Sequence, residues 1–222
     1  MIKISKRLES IASLIDNNNS IIDIGCDHGL LDIYLIENKK NINILATEIN
    51  KNALNNAKNN IKKYKLENII KLQESDGLKN IDTTNYNTII IAGMGSHTIV
   101  GILKQSIKKL KNIDNLILQS NNDNYFLRKK VLKLGFYIEK EILIKEKNIY
   151  YTIIKFKKGH KYYNKNELHL GPYLIKENSN LFKEKNKEDL KKIKLIYKLI
   201  PKRYIFYRLK TISKINIYKK HV

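Results

Sequence analysis

Residues 20–31, which read SIIDIGCDHGLL, combine acidic side chains with a glycine-bearing turn. The isoleucines at 21, 22 and 24 are typical of a strand that is buried on both faces of a parallel sheet. The apolar spacing of residues 30–36 predicts a helix directly after the turn. A strand, a glycine turn and a helix N-terminus in this order form a nucleotide site, because backbone N–H groups and the helix dipole face the ligand.

The turn favours a cationic ligand. Asp27 and His28 stand where a dinucleotide fingerprint has glycines, and a carboxylate there would repel the pyrophosphate of NAD. Glu48 follows a second apolar run and suits the two hydroxyls of a ribose. S-adenosylmethionine fits this pattern, because its sulfonium and ammonium groups would lie near acids such as Asp23, with Gly25 giving its backbone close access. The alternative is an ordinary strand–turn–helix in which Asp27 and His28 are solvated.

Asp76 and Gly77 follow a third predicted strand, residues 69–73. An aspartate just past the carboxyl end of a strand can accept a hydrogen bond from the amino group of adenine. We therefore assign both residues to the cofactor site, although a plain Asp-Gly turn would have the same sequence.

Gly93 and Met94 follow the most hydrophobic predicted strand, residues 88–92. The glycine allows the backbone to approach a ligand, and the methionine supplies a deformable apolar surface. The alternative is a glycine-rich loop that enters the next helix. Gln119 and Asn121 lie at the end of the fifth predicted strand, and we assign them to substrate binding.

The elements that position these residues form an α/β fold. Five predicted strands alternate with helices and are followed by a hairpin, so the expected architecture is a doubly wound sheet with one antiparallel strand, the Rossmann-like plan of class I methyltransferases. Ligands of such sheets bind at the carboxyl ends of the strands, where the strand order reverses. All the acidic and glycine residues considered above fall at these ends. The predicted strands are residues 21–24, 42–49, 69–73, 88–92 and 116–119, and the hairpin is residues 137–144 and 149–156.

An amphipathic helix is predicted over residues 2–15, where Ile4, Leu8, Ile11 and Ile15 share one face. It precedes the first strand, where it could cover the cofactor site. Arg7 is then a candidate partner for the cofactor carboxylate, and a solvated helix charge is the alternative.

Composition limits the class of protein. The chain has 222 residues, enough for one sizeable domain and an appendage, and its single cysteine excludes an internal disulfide and a cysteine-based metal site. The sequence has no stretch that is long and apolar enough to span a bilayer, so we expect a cytoplasmic protein. Its net charge of +22 favours a polyanionic partner, with RNA or DNA ahead of an acidic membrane surface.

We place a domain boundary at residues 157–160, which gives a methyltransferase domain over residues 1–158 and a helical coiled-coil domain over 159–222. The apolar spacing predicts two helices on either side of Pro201, packed as an antiparallel hairpin with a narrow seam. The predicted seam residues are Leu190, Ile193, Tyr197, Ile200, Ile205, Leu209 and Ile212.

Residues 190–222 contain eleven lysines or arginines and no acid. A solvated helix face normally mixes charges of both signs, so a face of this kind favours binding to a phosphate backbone. Tyrosines 204, 207 and 218 are interleaved with the basic residues. The candidates for binding a nucleic-acid backbone are Lys191, Lys202, Arg203 and Arg208.

The chain resembles the TrmK family, bacterial tRNA (adenine-N1)-methyltransferases that modify the adenine at position 22 of certain tRNAs. The resemblance implies S-adenosylmethionine as cofactor, tRNA as partner, no metal and a C-terminal coiled coil, and we expect a monomer. Ser96 and His97 depart from the family pattern, as do residues 29–32, and both changes alter the rim of the pocket. The motifs that carry the resemblance are residues 5–8 (SKRL), 23–28 (DIGCDH), 91–95 (IAGMG), 116–119 (LILQ) and 171–174 (GPYL) with Asn180 and Phe182.

The chemistry that the resemblance implies needs little from the protein. Adenine N1 can attack the methyl group directly, so positioning supplies much of the rate. The methylated ring becomes cationic, and Asp27 is the best candidate to stabilise it, with His28 orienting the turn or relaying a proton. Residues 92–95 (AGMG) replace the motif of methyltransferases that act on the exocyclic amine of adenine. Two alternatives remain open at this stage: a methyltransferase that acts on another RNA or a small molecule, and a non-catalytic RNA-binding protein.

Overall fold

A computed structural model of the chain describes residues 2–39 and 41–222. Within these residues seven strands form one sheet with the order β3-β2-β1-β4-β5-β7-β6. Strands β1 to β5 run parallel to one another, and β7 is antiparallel to both β5 and β6. The predicted Rossmann-like sheet with one antiparallel strand is confirmed. The strands are β1 (Ser20–Ile24), β2 (Asn43–Glu48), β3 (Ile70–Glu74), β4 (Thr88–Met94), β5 (Asn115–Ser120), β6 (Phe136–Glu146) and β7 (Ile149–Lys158).

Helices cover the sheet and continue after its last strand. They are α1 (Lys6–Ala12), α2 (Leu30–Asn38), α3 (Lys51–Lys63), α4 (Ser96–Gln105), α5 (Asn124–Leu132), α6 (Lys165–Leu170), α7 (Pro172–Glu177), α8 (Asn180–Leu199) and α9 (Ile205–Lys219), with a 3-10 helix at Ile107–Asn112. Helix α1 is shorter than the predicted 2–15, because the hydroxyl of Ser5 accepts a hydrogen bond from Leu8 N and so caps the helix at its start. No helix within the described residues is long and apolar enough to cross a membrane.

The isoleucine-rich central strands supply two hydrophobic cores, one on each face of the sheet. In β1, Ile22 and Ile24 belong to one core and Ile21 to the other, and β4 divides its isoleucines in the same way. Because successive side chains of a strand point to opposite faces, a continuous apolar run is what a strand covered by helices on both faces requires. The sheet is thereby fixed from both sides.

The register of the strands brings their carboxyl ends together. Ile24 of β1 pairs with Thr47 of β2 and with Ile91 of β4, so the residues that follow each strand lie side by side. The chain passes from β1 outward to β2 and β3, and then returns to β4 on the other side of β1. The strand order therefore reverses between β1 and β4, which is where ligands bind in sheets of this type.

The C-terminal helices pack at one end of the sheet. The base of the α8–α9 hairpin contributes Phe182, Leu190 and Ile193 to a third core, which also contacts Leu143 of β6. The predicted seam is correct for Leu190 and Ile193 in α8 but wrong for Ile205 and Leu209 in α9, which are 66% and 60% exposed. The third predicted seam residue of α9, Ile212, is half-buried. Residues near the end of α9 are buried in their place, namely Ile215, Ile217 and Tyr218.

The different packing of α9 has a physical cause at the tip of the hairpin. The Arg208 guanidinium lies 4.2 Å from the centre of the Tyr197 ring and donates a hydrogen bond of 2.7 Å to the carbonyl of Ile200. An arginine–tyrosine contact thus occupies the place where the spacing predicted an apolar seam. The two helices are present as predicted, and the term coiled coil stays a prediction.

A buried ion pair joins the helices after the sheet to the sheet itself. Arg128 of α5 donates a hydrogen bond of 2.7 Å to Glu141 of β6, and both side chains are almost fully buried. Arg128 also donates to the carbonyl of Leu168 at 3.1 Å, while the backbone N–H of Tyr173 donates to Glu141 at 3.1 Å. A Cβ at Gly171 would lie 2.5 Å from the Glu141 carboxylate, so only glycine fits there. The division at residues 158 and 159 stays a prediction, because the later helices pack directly on α5 and β6.

We predict that Glu141→Ala lowers the free energy of unfolding by about 3–5 kcal/mol, because it leaves the charge of Arg128 buried without a partner. Urea denaturation followed by circular dichroism measures the change. Lys157→Ala removes one member of the more exposed pair with Glu139 and should cost at most about 1 kcal/mol. Equal losses in the two variants would contradict a structural role for the buried pair.

Candidate functional site

A cavity of about 480 Å³ lies at the carboxyl ends of β1, β2 and β4, where the strand order reverses. It is lined by residues from four separate parts of the sequence. The structure brings together eight of the predicted site residues in this lining: Arg7, Asp23, Gly25, Asp27, His28, Glu48, Gly93 and Met94.

The turn after β1 has a backbone that few residues allow. Gly25, Asp27 and Gly29 all have left-handed φ angles, of 78°, 52° and 68°. A Cβ at Gly25 would lie 2.5 Å from the terminal methyl of Met94, so this position requires glycine. The N–H groups of Gly25 and Cys26 both donate to the carbonyl of Thr47, at 2.8 and 3.0 Å, which fixes the turn to the end of β2.

The Glu48 carboxylate is held by backbone N–H groups. One oxygen accepts hydrogen bonds of 2.9 Å from Ile49 N and Asn50 N, and the other accepts one of 3.2 Å from Asp27 N. An ionised carboxylate has about four acceptor positions, so capacity remains for a ligand hydroxyl. The arrangement orients Glu48 in the cavity before any ligand arrives.

Two buried carboxyl groups, those of Asp23 and Asp32, lie behind the turn. Burial and the nearby charge of Glu48 raise the pKa of Asp23 to about 7. Burial and the charge of Asp23 raise the pKa of Asp32 well above its ordinary value, and the Asp32 oxygens have no other hydrogen-bond partner among the described residues. The Asp32 carboxyl therefore favours its protonated form more than an exposed aspartate does, and it interacts with Asp23. Sequence reasoning missed Asp32, although an acid within the apolar start of α2 was a usable signal.

A chain of hydrogen bonds connects Arg7 to the end of β4. The Arg7 guanidinium donates to Gln119 Oε1 at 2.9 Å, and the same oxygen accepts from Gly93 N at 3.0 Å. The amide of Gln119 donates to Asn121 Oδ1 at 3.1 Å, and Asn121 donates to the carbonyl of Gly93 at 2.7 Å. Gln119 is 0% exposed and supports Arg7, and its contact with substrate stays a prediction. The exposed Asn121 remains a candidate for substrate binding.

The end of β4 approaches the cavity at Gly93, where the pairing with β5 is irregular. The register between β4 and β5 shifts between Ala92 and Met94, and Gly93 has a φ angle of 79°. A Cβ at Gly93 would lie 3.5 Å from the Arg7 guanidinium. The predicted pair of Gly93 and Met94 therefore lies between Arg7 and the turn at Gly25.

Asp27 and His28 form the open side of the cavity. The Asp27 side chain is 70% exposed, and His28 Nε2 lies 3.6 Å from its carboxylate. The backbone of Asp27 is fixed by its bond to Glu48, and the carbonyl of His28 accepts a hydrogen bond of 2.9 Å from Asn60 of α3. The carboxylate of Asp27 is thus positioned by its backbone and free to face a substrate.

Asp76 and Gly77 lie outside the lining of this cavity. Asp76 forms an ion pair with Lys79 at the surface. A Cβ at the buried Gly77 would lie 3.0 Å from Ile102 of α4, so this glycine permits helix packing. The N–H of Ser75 donates to the carbonyl of Glu48 at 3.1 Å, which keeps the end of β3 beside the cavity. The cofactor contacts of both residues stay predictions.

Contacts with α5 and the loop before it accommodate Ser96 and His97, two of the residues that depart from the family pattern. The His97 ring stacks on Phe126 with a centroid distance of 4.0 Å and an angle of 16°. The N–H of Ser96 donates to Asn122 Oδ1 at 2.9 Å. The first interaction connects the start of α4 to α5, and the second connects it to the loop after β5.

The four predicted tRNA-binding residues lie on the α8–α9 hairpin, away from the cavity. The side chains of Lys191 and Lys202 are exposed and have no acidic partner among the residues that the structure describes. Arg203 lies over the ring of Tyr204 at 5.1 Å. Arg208 is the exception, because its bonds to the hairpin give it a structural role.

A second cavity of about 560 Å³ lies between the end of β5 and the C-terminal helices. Tyr125 and His169 stack in its lining with a centroid distance of 4.1 Å. Burial and the charges of Lys214 and Lys165 lower the pKa of His169 to about 4, so its ring is neutral at physiological pH. Sequence reasoning missed this cavity because residues from seven separate elements form it. In the described part of the chain no cluster of three or more His, Cys, Asp or Glu could hold a metal ion.

Known proteins resemble this chain in sequence and structure over almost its whole length. A curated Bacillus subtilis tRNA (adenine(22)-N(1))-methyltransferase is 31% identical over 205 residues, which are 90% of this chain and 86% of the relative. The structure of M. capricolum TrmK in complex with S-adenosyl-homocysteine has a TM-score of 0.87 and 30% identity, covering 98% of this chain and 97% of that one. A Streptococcus pneumoniae structure in complex with S-adenosyl-L-methionine has a TM-score of 0.90 and 30% identity, with 99% of both chains covered.

The family model described as TrmK, tRNA (adenine(22)-N(1))-methyltransferase, matches residues 21–220. This range runs from the first strand of the sheet to the end of the last helix. The earlier resemblance is thereby confirmed, and the chain belongs to the TrmK family of tRNA (adenine(22)-N(1))-methyltransferases.

Proposed function

We propose that this protein transfers a methyl group from S-adenosylmethionine to N1 of the adenine at position 22 of tRNA, and that the transfer takes place in the cavity at the ends of β1, β2 and β4. One observation carries the assignment of the site. A chain of the TrmK family places Asp23, Asp27 and Glu48 in a single cavity with Arg7, at the point where the strand order reverses.

The residues present fit S-adenosylmethionine. The ligand has a carboxylate, which suits the cationic Arg7, and an ammonium group, which suits Asp23. Its ribose hydroxyls suit the oriented Glu48, and its chain can pass over Gly25, where no side chain fits. A bound cation also stabilises the ionised form of Asp23, so the protein would release a proton on binding.

S-adenosylmethionine supplies a methyl carbon on a cationic sulfur, and the electron pair of the broken C–S bond stays on sulfur as adenine N1 forms the new C–N bond. The lone pair of N1 lies in the ring plane, so no proton has to leave adenine before the attack. The residues of this chain therefore need only to orient the base and to stabilise the positive charge that its ring acquires. Asp27 is assigned to the second task, and His28 helps to hold its carboxylate.

The adenine has to be unpaired to react, because a base pair engages N1. A base that is flipped out or already unstacked can enter a pocket and bind against apolar and polar side chains. Met94 offers the apolar surface, and the exposed Asn121 offers an amide beside the loop of Gly93. We assign both residues to the positioning of the adenine.

The α8–α9 hairpin is assigned to the tRNA backbone. Every charged residue from Lys191 to the end of the chain is basic, and Lys191, Lys202 and Arg203 are exposed. In this proposal residues 1–158 carry the chemistry and residues 159–222 hold the tRNA. The protein acts as a monomer, because one chain supplies every residue assigned here, and it acts in the cytoplasm, where its substrate is found.

Transfer of tritiated methyl groups into bulk tRNA, with 1-methyladenosine as the product, tests the activity. We predict that Asp27→Asn lowers turnover by ~10²-fold or more, because the variant keeps the shape and loses the charge that stabilises the product ring. Its affinity for S-adenosylmethionine should change little. A variant that retains turnover but loses cofactor binding would move Asp27 to the cofactor site.

Glu48→Ala should weaken binding of S-adenosylmethionine by roughly 1–3 kcal/mol, the range for the loss of a charged hydrogen-bond partner. Calorimetric titration measures the affinity. Glu67→Ala is the matched control, because this exposed glutamate lies after α3 and outside the cavity. An unchanged affinity in Glu48→Ala would remove the ribose assignment.

For the hairpin, we predict that Lys191→Ala combined with Lys202→Ala makes the affinity for tRNA depend less on salt. Each phosphate contact releases condensed counterions, so the slope of log affinity against log salt should fall by about 1 for each lysine removed. Filter binding over a salt series gives the slope. Lys62→Ala removes an exposed lysine of α3 and should leave the slope unchanged; a similar effect in this control would indicate nonspecific charge instead of a defined contact.

A further inference from the structure

Large apolar side chains are exposed at the tip of the α8–α9 hairpin. Leu199 is 81% exposed and Phe206 is 75% exposed, and their neighbours along the chain are similarly open to solvent. Contiguous exposed apolar surface on a protein of this kind marks a site of interaction. We call this group the tip cluster, and its members are Leu199, Tyr204, Ile205, Phe206, Tyr207 and Leu209.

The tip cluster lies far from the hydrophobic core of the hairpin. The buried part of α8 is at its base, where Phe182 belongs to the third core. The helix rises 1.5 Å per residue, so Leu199 is about 26 Å along α8 from Phe182. No contact with the sheet covers the cluster in the part of the chain that the structure describes, and packing of the hairpin does not account for its residues.

The aromatic rings of the cluster present flat faces. Tyr207 contacts both Phe206 and Tyr204 edge to face, with centroid distances of 6.1 and 6.3 Å and angles of 82° in each case. Rings in this arrangement stiffen one another, and ring surface remains exposed on each. Exposed aromatic faces are the surfaces on which unpaired nucleic-acid bases stack.

The charges around the cluster are of one sign. Lys198, Lys202, Arg203 and Lys210 adjoin its members along the chain and are exposed, and the last acidic residue of the chain is Asp189. The occupant should therefore be anionic and should also offer flat apolar groups. Unpaired nucleotides meet both conditions, and the cluster is continuous with the basic surface that is assigned to the tRNA backbone.

We propose that the tip cluster binds unpaired bases in a loop of the tRNA, by stacking them on Phe206 and Tyr207. This inference rests on the proposed function, because it takes tRNA as the partner. It adds a second kind of contact, which holds bases instead of phosphates and depends little on salt. The hairpin would thereby hold the tRNA at a point remote from the adenine that reacts.

The salt dependence of tRNA binding separates stacking from charge. Phe206→Ala combined with Tyr207→Ala should weaken binding of the full-length protein by roughly 10- to 100-fold, the order that the loss of a stacked base costs. The loss should be the same at every salt concentration, because no charge is removed. Tyr162→Ala is the matched control, since Tyr162 is 93% exposed and lies outside the hairpin. Unchanged tRNA affinity in the double variant would overturn the proposal.

A single tryptophan reports the contact directly. The chain contains no tryptophan, so Tyr207→Trp introduces one probe at the tip. Its emission should be quenched by tRNA and much less by a fully paired RNA duplex with the same number of phosphates. Equal quenching by both RNAs, or quenching by neither, would contradict stacking on unpaired bases.

Vesicle binding and sedimentation of the double variant test two other roles for the tip cluster. If the double variant loses binding to phosphatidylserine vesicles and keeps its affinity for tRNA, the cluster is a membrane contact and the proposal is wrong. If it changes only the sedimentation of the protein, the cluster is a contact between copies of this chain, which also contradicts the proposal. Quenching by tRNA in a protein that transfers no methyl group would refute the proposed function and leave the tip assignment standing.

Discussion

One carboxylate, that of Glu48, holds the two main loops of the site together. It accepts hydrogen bonds from backbone N–H groups in the turn after β1 and in the residues that follow β2. Neither loop can therefore move without breaking these bonds. The parallel register of β1 and β2 brings the two loops within reach, and the two hydrophobic cores fix that register. The position of Asp27, and through it the proposed chemistry, therefore depends on a side chain whose other proposed role is to bind the cofactor.

Local patterns predicted much of the fold, because the strands are continuous apolar runs and α2 follows the apolar spacing of residues 30–36. Contacts between distant residues were harder to predict. The spacing of Ile205 and Leu209 indicates an apolar face but not whether a neighbour covers it, and Arg208 takes the expected place instead. Gln119 is a similar case. Its sequence position indicates the edge of the site, and only the structure shows that it is buried beneath Arg7.

In the protein without ligand, burial and the neighbouring acids disfavour the ionised forms of Asp23 and Asp32. A cationic ligand can offset this unfavourable interaction. The pKa of Asp23 is raised in the folded state. Between about pH 4 and 7 the folded protein therefore keeps a proton that the unfolded chain has already released. The stability contribution of that proton is present below pH 4 and is lost as the pH rises towards 7. At neutral pH an ionised Asp23 lies near the charge of Glu48, and an ammonium group between them would turn this repulsion into attraction.

The ion pair of Arg128 and Glu141 connects this site to the hairpin. Arg128 holds the carbonyls at the end of α6, and Glu141 holds the first turn of α7, so the approach of the chain to α8 is fixed relative to the sheet. Helix α8 then extends from this base, and its length sets the distance between the cavity and the tip. Two contacts with the tRNA, one at the reacting adenine and one at the tip, would therefore be separated by a rigid spacer. A spacer of this kind would select an RNA that has two unpaired regions at the matching distance. A fully paired RNA duplex has no such regions, whatever its sequence.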